Sequence, residues 1–118
     1  MTAPNRRLWM IAALLGALAV VLGAFGAHAL SSVTDDPARM RIWRTASLYH
    51  LVHSAVLFGA ALHPGRPVWA PRLLVAGIVI FSGSLYALAL TGVGVLGAIT
   101  PIGGVCFIAG WVALAFAR

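Results

Sequence analysis

Residues 8–30 read LWMIAALLGALAVVLGAFGAHAL, a stretch without a single charged side chain. A hydrocarbon core of ~30 Å needs about 20 apolar residues in helix, so this stretch predicts a membrane span. The composition around it agrees. Residues of the set AVILMFWYC make up 62% of the 118-residue chain, and charged residues only 8%. A soluble domain carries roughly 25% charged residues to cover its surface. The mean hydropathy of +1.01 fits a chain whose surface meets lipid. An ordinary soluble enzyme and a disordered tail are both excluded.

Three further apolar stretches follow: 45–62, interrupted by His50 and His53; 73–90; and 95–117, which carries Pro101. Lipid offers no partner to free backbone groups, and four segments cannot close a barrel, so all four are expected to be helices. The chain thus reads as an all-α polytopic membrane protein, a four-transmembrane-helix bundle. It is one domain, 1–118, with helices at about 8–30, 37–62, 71–91 and 95–117. The second helix starts ahead of its apolar run, because Asp36-Pro37 supplies an N-cap and a proline at the first helical position. Its first turns, with Arg39, Arg41, Trp43 and Arg44, suit the headgroup region. The linker His63-Pro64-Gly65-Arg66-Pro67 is a break, and Pro71 is expected to open the third helix.

The net charge of +6 comes from eight arginines against Asp35 and Asp36. In a soluble chain such a balance would point to nucleic acid. Here the arginines stand at the ends of apolar stretches, the pattern of membrane anchors, and no nucleic-acid partner is expected. Four spans bring both termini to one side. Arg6, Arg7, Arg66, Arg72 and Arg118 share that side, against Arg39, Arg41 and Arg44 opposite. The positive-inside rule then places both termini in the cytoplasm. A rival reading takes Arg6-Arg7, the apolar run and Ala27-His28-Ala29 as a signal peptide with its cleavage site. That run exceeds the ~7–15 residues of a signal core, so the first helix is expected to be retained. Cys106 is the only cysteine, which excludes an internal disulfide, a CxxC pair and c-type haem attachment.

Helices in lipid associate through close packing, so small residues mark their seams. In the first helix Ala12, Gly16, Ala19, Gly23 and Gly26 form one stripe. In the fourth, Gly103, Cys106, Gly110, Ala113 and Ala117 repeat the device. In the second, Ala46, His50, His53, Leu57 and Ala60 share a stripe, which turns both histidines inward. In the third, Gly77, Ser84, Ala87 and Thr91 do so. Four such seams predict a compact bundle.

Polar residues inside a membrane ask for an explanation. His28, Tyr49, His50, His53, Ser54, Ser82, Ser84, Tyr86 and Thr100 all fall in the non-cytoplasmic half once the topology is set. They are expected to converge on a polar pocket there, with His28, His53 and Thr100 at its centre. One reading makes them interhelical hydrogen bonds only. A sharper one makes His28, His50 and His53 a metal-ligand set, since three imidazoles suit zinc or copper. No carboxylate lies in any span to complete such a site or to serve a proton pump, and haem would need a histidine facing the pair at depth. No cofactor or bound metal is therefore expected. Thr100-Pro101 reads either as an N-cap followed by a helix start, with 91–99 an apolar connection dipping into the outer leaflet, or as a proline kink with packing glycines.

Several strings resemble a known family: Gly23-Ala24-Phe25-Gly26-Ala27-His28-Ala29-Leu30; Thr45-Ala46 with Tyr49 and His53; Phe81-Ser82-Gly83-Ser84-Leu85-Tyr86; Gly97-Ala98-Ile99-Thr100-Pro101-Ile102-Gly103-Gly104; and Ala109-Gly110-Trp111. Together they resemble the YgdD/YwdK-type small membrane proteins, the domain-of-unknown-function family numbered four hundred and twenty-three, which has small mitochondrial relatives. The resemblance implies a four-helix inner-membrane protein and brings no activity with it. The family pattern often holds Gln where this chain has His50, so a metal site that needs His50 would be peculiar to this chain.

Three functions compete. The first is a non-enzymatic accessory or assembly component of the inner membrane, with lipid and a homo-oligomer or larger membrane complex as its partners. The second is a carrier or channel-like protein for a small solute, proton or metal ion at the polar pocket. The third, a membrane enzyme, lacks a carboxylate pair, a Ser-His-Asp set or a complete ligand set.

Overall fold

The structure is a computed structural model and describes residues 3–118. Among those residues there are helices and turns and no strand. Helix α1 runs Arg6–His28 and α2 runs Pro37–Leu62. The third span is continuous but changes its winding. It opens as α3, Trp69–Gly77, widens into a π-helical turn over Ile78–Ser82, and closes as α4, Gly83–Thr91. A 3-10 turn at Gly94–Ala98 leads into α5, Thr100–Ala115. Four stretches, Arg6–His28, Pro37–Leu62, Trp69–Thr91 and Gly94–Ala115, are long and apolar enough to cross a membrane.

The ends of the helices follow local chemistry. Asn5 caps α1: its side chain accepts a hydrogen bond from the Leu8 amide, which starts the helix at Arg6 rather than at residue 8. The same helix stops at His28, and the chain leaves through a short 3-10 turn at Leu30–Ser32. Asp36 caps α2 through the Ala38 amide at 2.9 Å, with Pro37 in the first turn. The third span begins at Trp69, so Pro71 lies within its first turn, where a missing N–H does no harm. Gly92 ends α4 in the left-handed conformation, φ 72°, which a side chain would resist. Arg39 reaches across from α2 to the same helix end and donates to the carbonyls of Ala89 and Leu90, both at 2.8 Å. A guanidinium there meets the carbonyls that the helix leaves free and the negative end of its dipole.

The four spans form a row more than a ring. α1 packs on α2; α2 packs on the third span; the third span packs on α5. The whole measures 51 × 26 × 16 Å. The compact bundle expected from four seams is therefore flattened. Lipid tails are as apolar as leucine, so nothing drives the two outer helices together once each has one good partner. The N-terminal segment, the 63–68 linker and the C-terminus meet at one end: the Asn5 amide bonds to the Ala61 carbonyl at 2.8 Å, and Arg118 abuts Gly65.

Two apolar clusters hold the row. At the terminal end Leu8, Ala12, Leu57, Ala60, Leu74, Ile78 and Phe107 are buried together. At the loop end Leu30, Trp43 and Ala89 are buried, with Phe25 and Tyr86 against them. The small-residue seams are used unevenly. A methyl at Gly26 would collide with the Trp43 ring, one at Gly110 with Leu74, and one at Gly103 with the Phe81 backbone. Gly16 meets only Ser54 at ordinary distance, 3.9 Å, and Gly23 meets nothing within 4 Å. The α1 seam is thus tight at Gly26 and open at Gly23, which lines a cavity beside the Trp43 ring.

Candidate functional site

α2 supplies both interior histidines because its stripe Ala46, His50, His53, Leu57 and Ala60 is buried throughout. The two histidines, three residues apart, leave this stripe in different directions and find different partners.

His53 faces α5. Its Nδ1 donates to the Tyr49 carbonyl at 2.6 Å, which makes Nε2 the acceptor. The Trp111 indole N–H donates to that Nε2 at 3.1 Å. The imidazole stacks on Phe107 at 3.7 Å between ring centroids. His53 is therefore a fully bonded neutral imidazole inside an aromatic sandwich, 4% exposed.

His50 faces α4. Its Nδ1 lies 2.9 Å from the Tyr86 hydroxyl, which in turn donates to Ser47 Oγ at 3.5 Å. Its Nε2 is buried without a hydrogen-bond partner. Ser47 also lines a cavity of about 410 Å³ with Gly23, Gly26, Trp43 and Arg44 at the loop end. The His50–Tyr86–Ser47 chain thus runs from the core to that cavity.

The serines and Thr100 tie the third span to its neighbours. Ser82 donates to the Ala46 carbonyl at 2.9 Å, within the π-helical turn. Ser84 and Thr100 share a hydrogen bond of 2.6 Å. The Phe81 carbonyl lies 3.0 Å from Ser84 Oγ and the Leu96 carbonyl 3.4 Å from Thr100 Oγ1, so one hydroxyl bonds its own helix turn while the other donates across the Ser84–Thr100 pair. Thr100 is the first residue of α5 and Ile99 its cap, so Thr100 serves as a link to α4 and not as the N-cap. Ser54 bonds back to the His50 carbonyl at 2.8 Å. The π-helical turn is the pivot of the arrangement: Ser82 meets α2 there, Phe81 meets Gly103, and Gly77 just before it meets Phe107. A single wide turn of this kind re-aims the side chains that follow it.

The expected single pocket is therefore divided. Tyr49, His53, Phe81 and Phe107 form an aromatic group, and Tyr86, His50 and Ser47 a second. Ser84 with Thr100 is a third. Thr100 precedes Phe107, the stacking partner of His53, by about 10 Å of helix rise. His28 is exposed at the end of α1. It lies about 18 Å of helix rise from Gly16, the residue that faces Ser54. His28, His53 and Thr100 are not brought together. Among the described residues no three His, Cys, Asp or Glu side chains are arranged to hold a metal ion, so His28, His50 and His53 form no ligand set.

Three participants are absent from the polar set expected from sequence: Trp111, Trp43 and Ser47. Trp43 donates to the Leu22 carbonyl at 2.8 Å and packs at a tilt between Phe25 and Tyr86. A tryptophan at the spacing of the buried α2 stripe was the available signal, since Trp43 stands three residues before Ala46. Nothing in the spacing of α5 marks Trp111 as the partner of a histidine 58 positions away.

A family model described as "Protein of unknown function (DUF423)" matches residues 22–104. Among curated relatives, a UPF0382 membrane protein of Staphylococcus epidermidis is 49% identical over 92% of this chain and 91% of its own. UPF0382 membrane protein YwdK of Bacillus subtilis is 43% identical over 92% of each chain. UPF0382 inner membrane protein YgdD of Escherichia coli is 39% identical over 91% of this chain and 85% of its own. No solved structure matches. These names carry no enzymatic activity. With its four apolar helices and these relatives, the chain is a small integral membrane protein and belongs to the DUF423 family, whose curated members are named UPF0382 membrane proteins.

Proposed function

We propose that the protein is a non-enzymatic accessory or assembly component of the inner membrane, with both termini in the cytoplasm. One observation carries the reading: the polar side chains of the interior are joined to one another or to backbone across helices. His53 bonds Trp111, His50 meets Tyr86, Ser84 meets Thr100, and Ser82 holds the Ala46 carbonyl. Groups spent in this way tie helices together, and among the buried side-chain nitrogens and oxygens of the described residues only His50 Nε2 stays unbonded. The relative YgdD, named an inner membrane protein, supports the location. The orientation rests on charge. Arg6, Arg7, Arg66, Arg72 and Arg118 flank the end that holds both termini, and Arg39, Arg41 and Arg44 the other.

The surface through which such a component meets its partner is the cleft between α1 and α2. Ala12, Ala13, Gly16 and Ala55 line it, with Leu51 and Phe58 at its sides, and its volume is about 390 Å³. Small walls let another helix approach closely. Cysteines placed at Ala13 and Ala55 in a Cys106→Ala background test this in the native membrane. Disulfide or bismaleimide cross-links to one defined membrane neighbour, lost in Ala13→Trp, are expected. Flux of a small solute through proteoliposomes that disappears in His53→Phe would overturn the reading in favour of a carrier.

A further inference from the structure

A groove larger than the two cavities already described lies away from the polar clusters. It opens between the start of α1 and α3, at the end where both termini meet, and has a volume of about 870 Å³. Much of its lining is apolar: Leu8 on α1, Val75 on α3 and Val79 in the π-helical turn all contribute. Its rim is cationic: Arg7, Arg66 and Arg72 come to it from three separate segments, α1, the 63–68 linker and α3. All three arginines are exposed. The carboxylate side chains of the chain, Asp35 and Asp36, belong to the loop at the opposite end, while the main-chain carbonyl group of Arg118 lies against Gly65, next to Arg66. Arg39, at the opposite end, is used up on the carbonyls of α4, whereas of the rim arginines Arg72 lies over the Trp69 ring, 5.4 Å from its centroid.

We propose that this groove seats one phospholipid with an anionic headgroup, an acyl chain between α1 and α3 and the phosphate under Arg7, Arg66 and Arg72. An apolar slot at membrane depth accepts a chain, and guanidinium groups at headgroup depth bind phosphate through paired N–H donors. Basic recesses between transmembrane helices take anionic headgroups for this reason. The volume, about 870 Å³, is that of a site for a small molecule, so the groove takes the headgroup and part of one acyl chain and leaves the rest of the lipid in the bilayer. The row-like packing of the helices leaves room for the slot: α1 packs chiefly on α2 and touches the third span through Leu8 and Ala12, beside which the groove stays open. The bound lipid would then complete the packing between the first and third spans.

The test uses the full chain, purified in a neutral detergent and titrated with phosphatidylglycerol or with phosphatidylcholine of the same acyl chains, and read by native mass spectrometry. Phosphatidylglycerol is expected to be retained at least about tenfold better than phosphatidylcholine. The variant Arg7→Gln/Arg66→Gln/Arg72→Gln should lose that preference. Ala76→Trp, which keeps every charge and fills the slot, should lose retention of both lipids; Val79→Trp, on the exposed wall, serves if Ala76→Trp does not fold. Equal retention of the two lipids by the parent chain would overturn the proposal. Full phosphatidylglycerol preference in the slot-filling variant would also overturn it, since a diffuse attraction to the basic rim would then suffice. Displacement of the lipid by excess inorganic phosphate would do the same, by showing a site for the free ion.

Discussion

Gly103 of α5 lies against the backbone of Phe81: a methyl at position 103 would overlap the Phe81 amide nitrogen and Cα. The contact is made at the π-helical turn, where the extra residue pushes the third span outward towards α5. Only a residue without a side chain permits that approach, and the approach brings Ser84 within reach of Thr100.

Gly103→Ala should therefore destabilise the protein, by about 1–3 kcal/mol, the usual cost of forcing a methyl into a packed contact. Gly23→Ala is the matched comparison, because nothing lies within 4 Å of a methyl there. That change should be neutral or stabilise by about 0.4–1 kcal/mol, through the unfolded chain. Unfolding in a series of denaturing detergent mixtures measures both. Equal effects at the two positions would show that the contact with Phe81 does not govern packing.

The His53–Trp111 bond predicts coupling across the row. His53→Phe and Trp111→Phe should each lower stability, and the double variant by less than their sum. The coupling expected for an interhelical hydrogen bond in a membrane is about 0.6 kcal/mol and no more than about 1.7 kcal/mol. Strict additivity would mean that the two rings merely pack beside each other.

Arg39 holds the end of α4. Arg39→Met keeps the aliphatic stem and removes both charged donors, and should cost about 1.5–3 kcal/mol. Amide exchange should accelerate at Gly92 and in the following turn before it does so elsewhere. Uniform acceleration throughout the chain would assign the arginine to global packing instead.

Trp43, 2% exposed, fills the space that Gly26 leaves open. Trp43→Ala should destabilise by about 3–5 kcal/mol. In that background Gly26→Ala should become harmless, whereas in the parent it should be damaging. Melting curves of the four proteins decide the matter. A Gly26→Ala change that is as damaging without the indole as with it would mean that another contact requires the glycine.

The proposed orientation makes a further expectation. An alkaline phosphatase fusion inserted in the 31–36 loop should be active, and one placed after Arg118 inactive. The reverse pattern would place both termini outside and remove the charge argument.

Much of this architecture was legible in the chain itself. Residues 8–30 carry no charge and Asp36-Pro37 carries its own helix start, so span number and the opening of α2 followed from local chemistry. The inward stripe of α2, from Ala46 to Ala60, was readable because helical periodicity puts such residues on one face. The third span was less readable. The seam Gly77, Ser84, Ala87 and Thr91 assumes unbroken winding, and the π-helical turn at Ile78–Ser82 shifts everything after it by one residue. Local sequence does not announce that turn, because its stabilising contacts come from Ala46 and Gly103 on other helices.

By itself, then, the sequence determined what must be buried in lipid, where the helices begin and break, and which face of α2 turns inward. Those are consequences of hydropathy, capping and a fixed helical period, which act within a few residues. The partners of the polar groups were decided by tertiary structure. Depth along a helix placed His28, His53 and Thr100 in one half of the bundle, but depth says nothing about direction around each helix axis. The row-like packing turned His53 to Trp111 and His50 to Tyr86, and left His28 at the surface. In lipid no hydrophobic force closes a bundle, so the fit of particular side chains, Trp43 against Gly26 and Phe81 against Gly103, chose which helices touch.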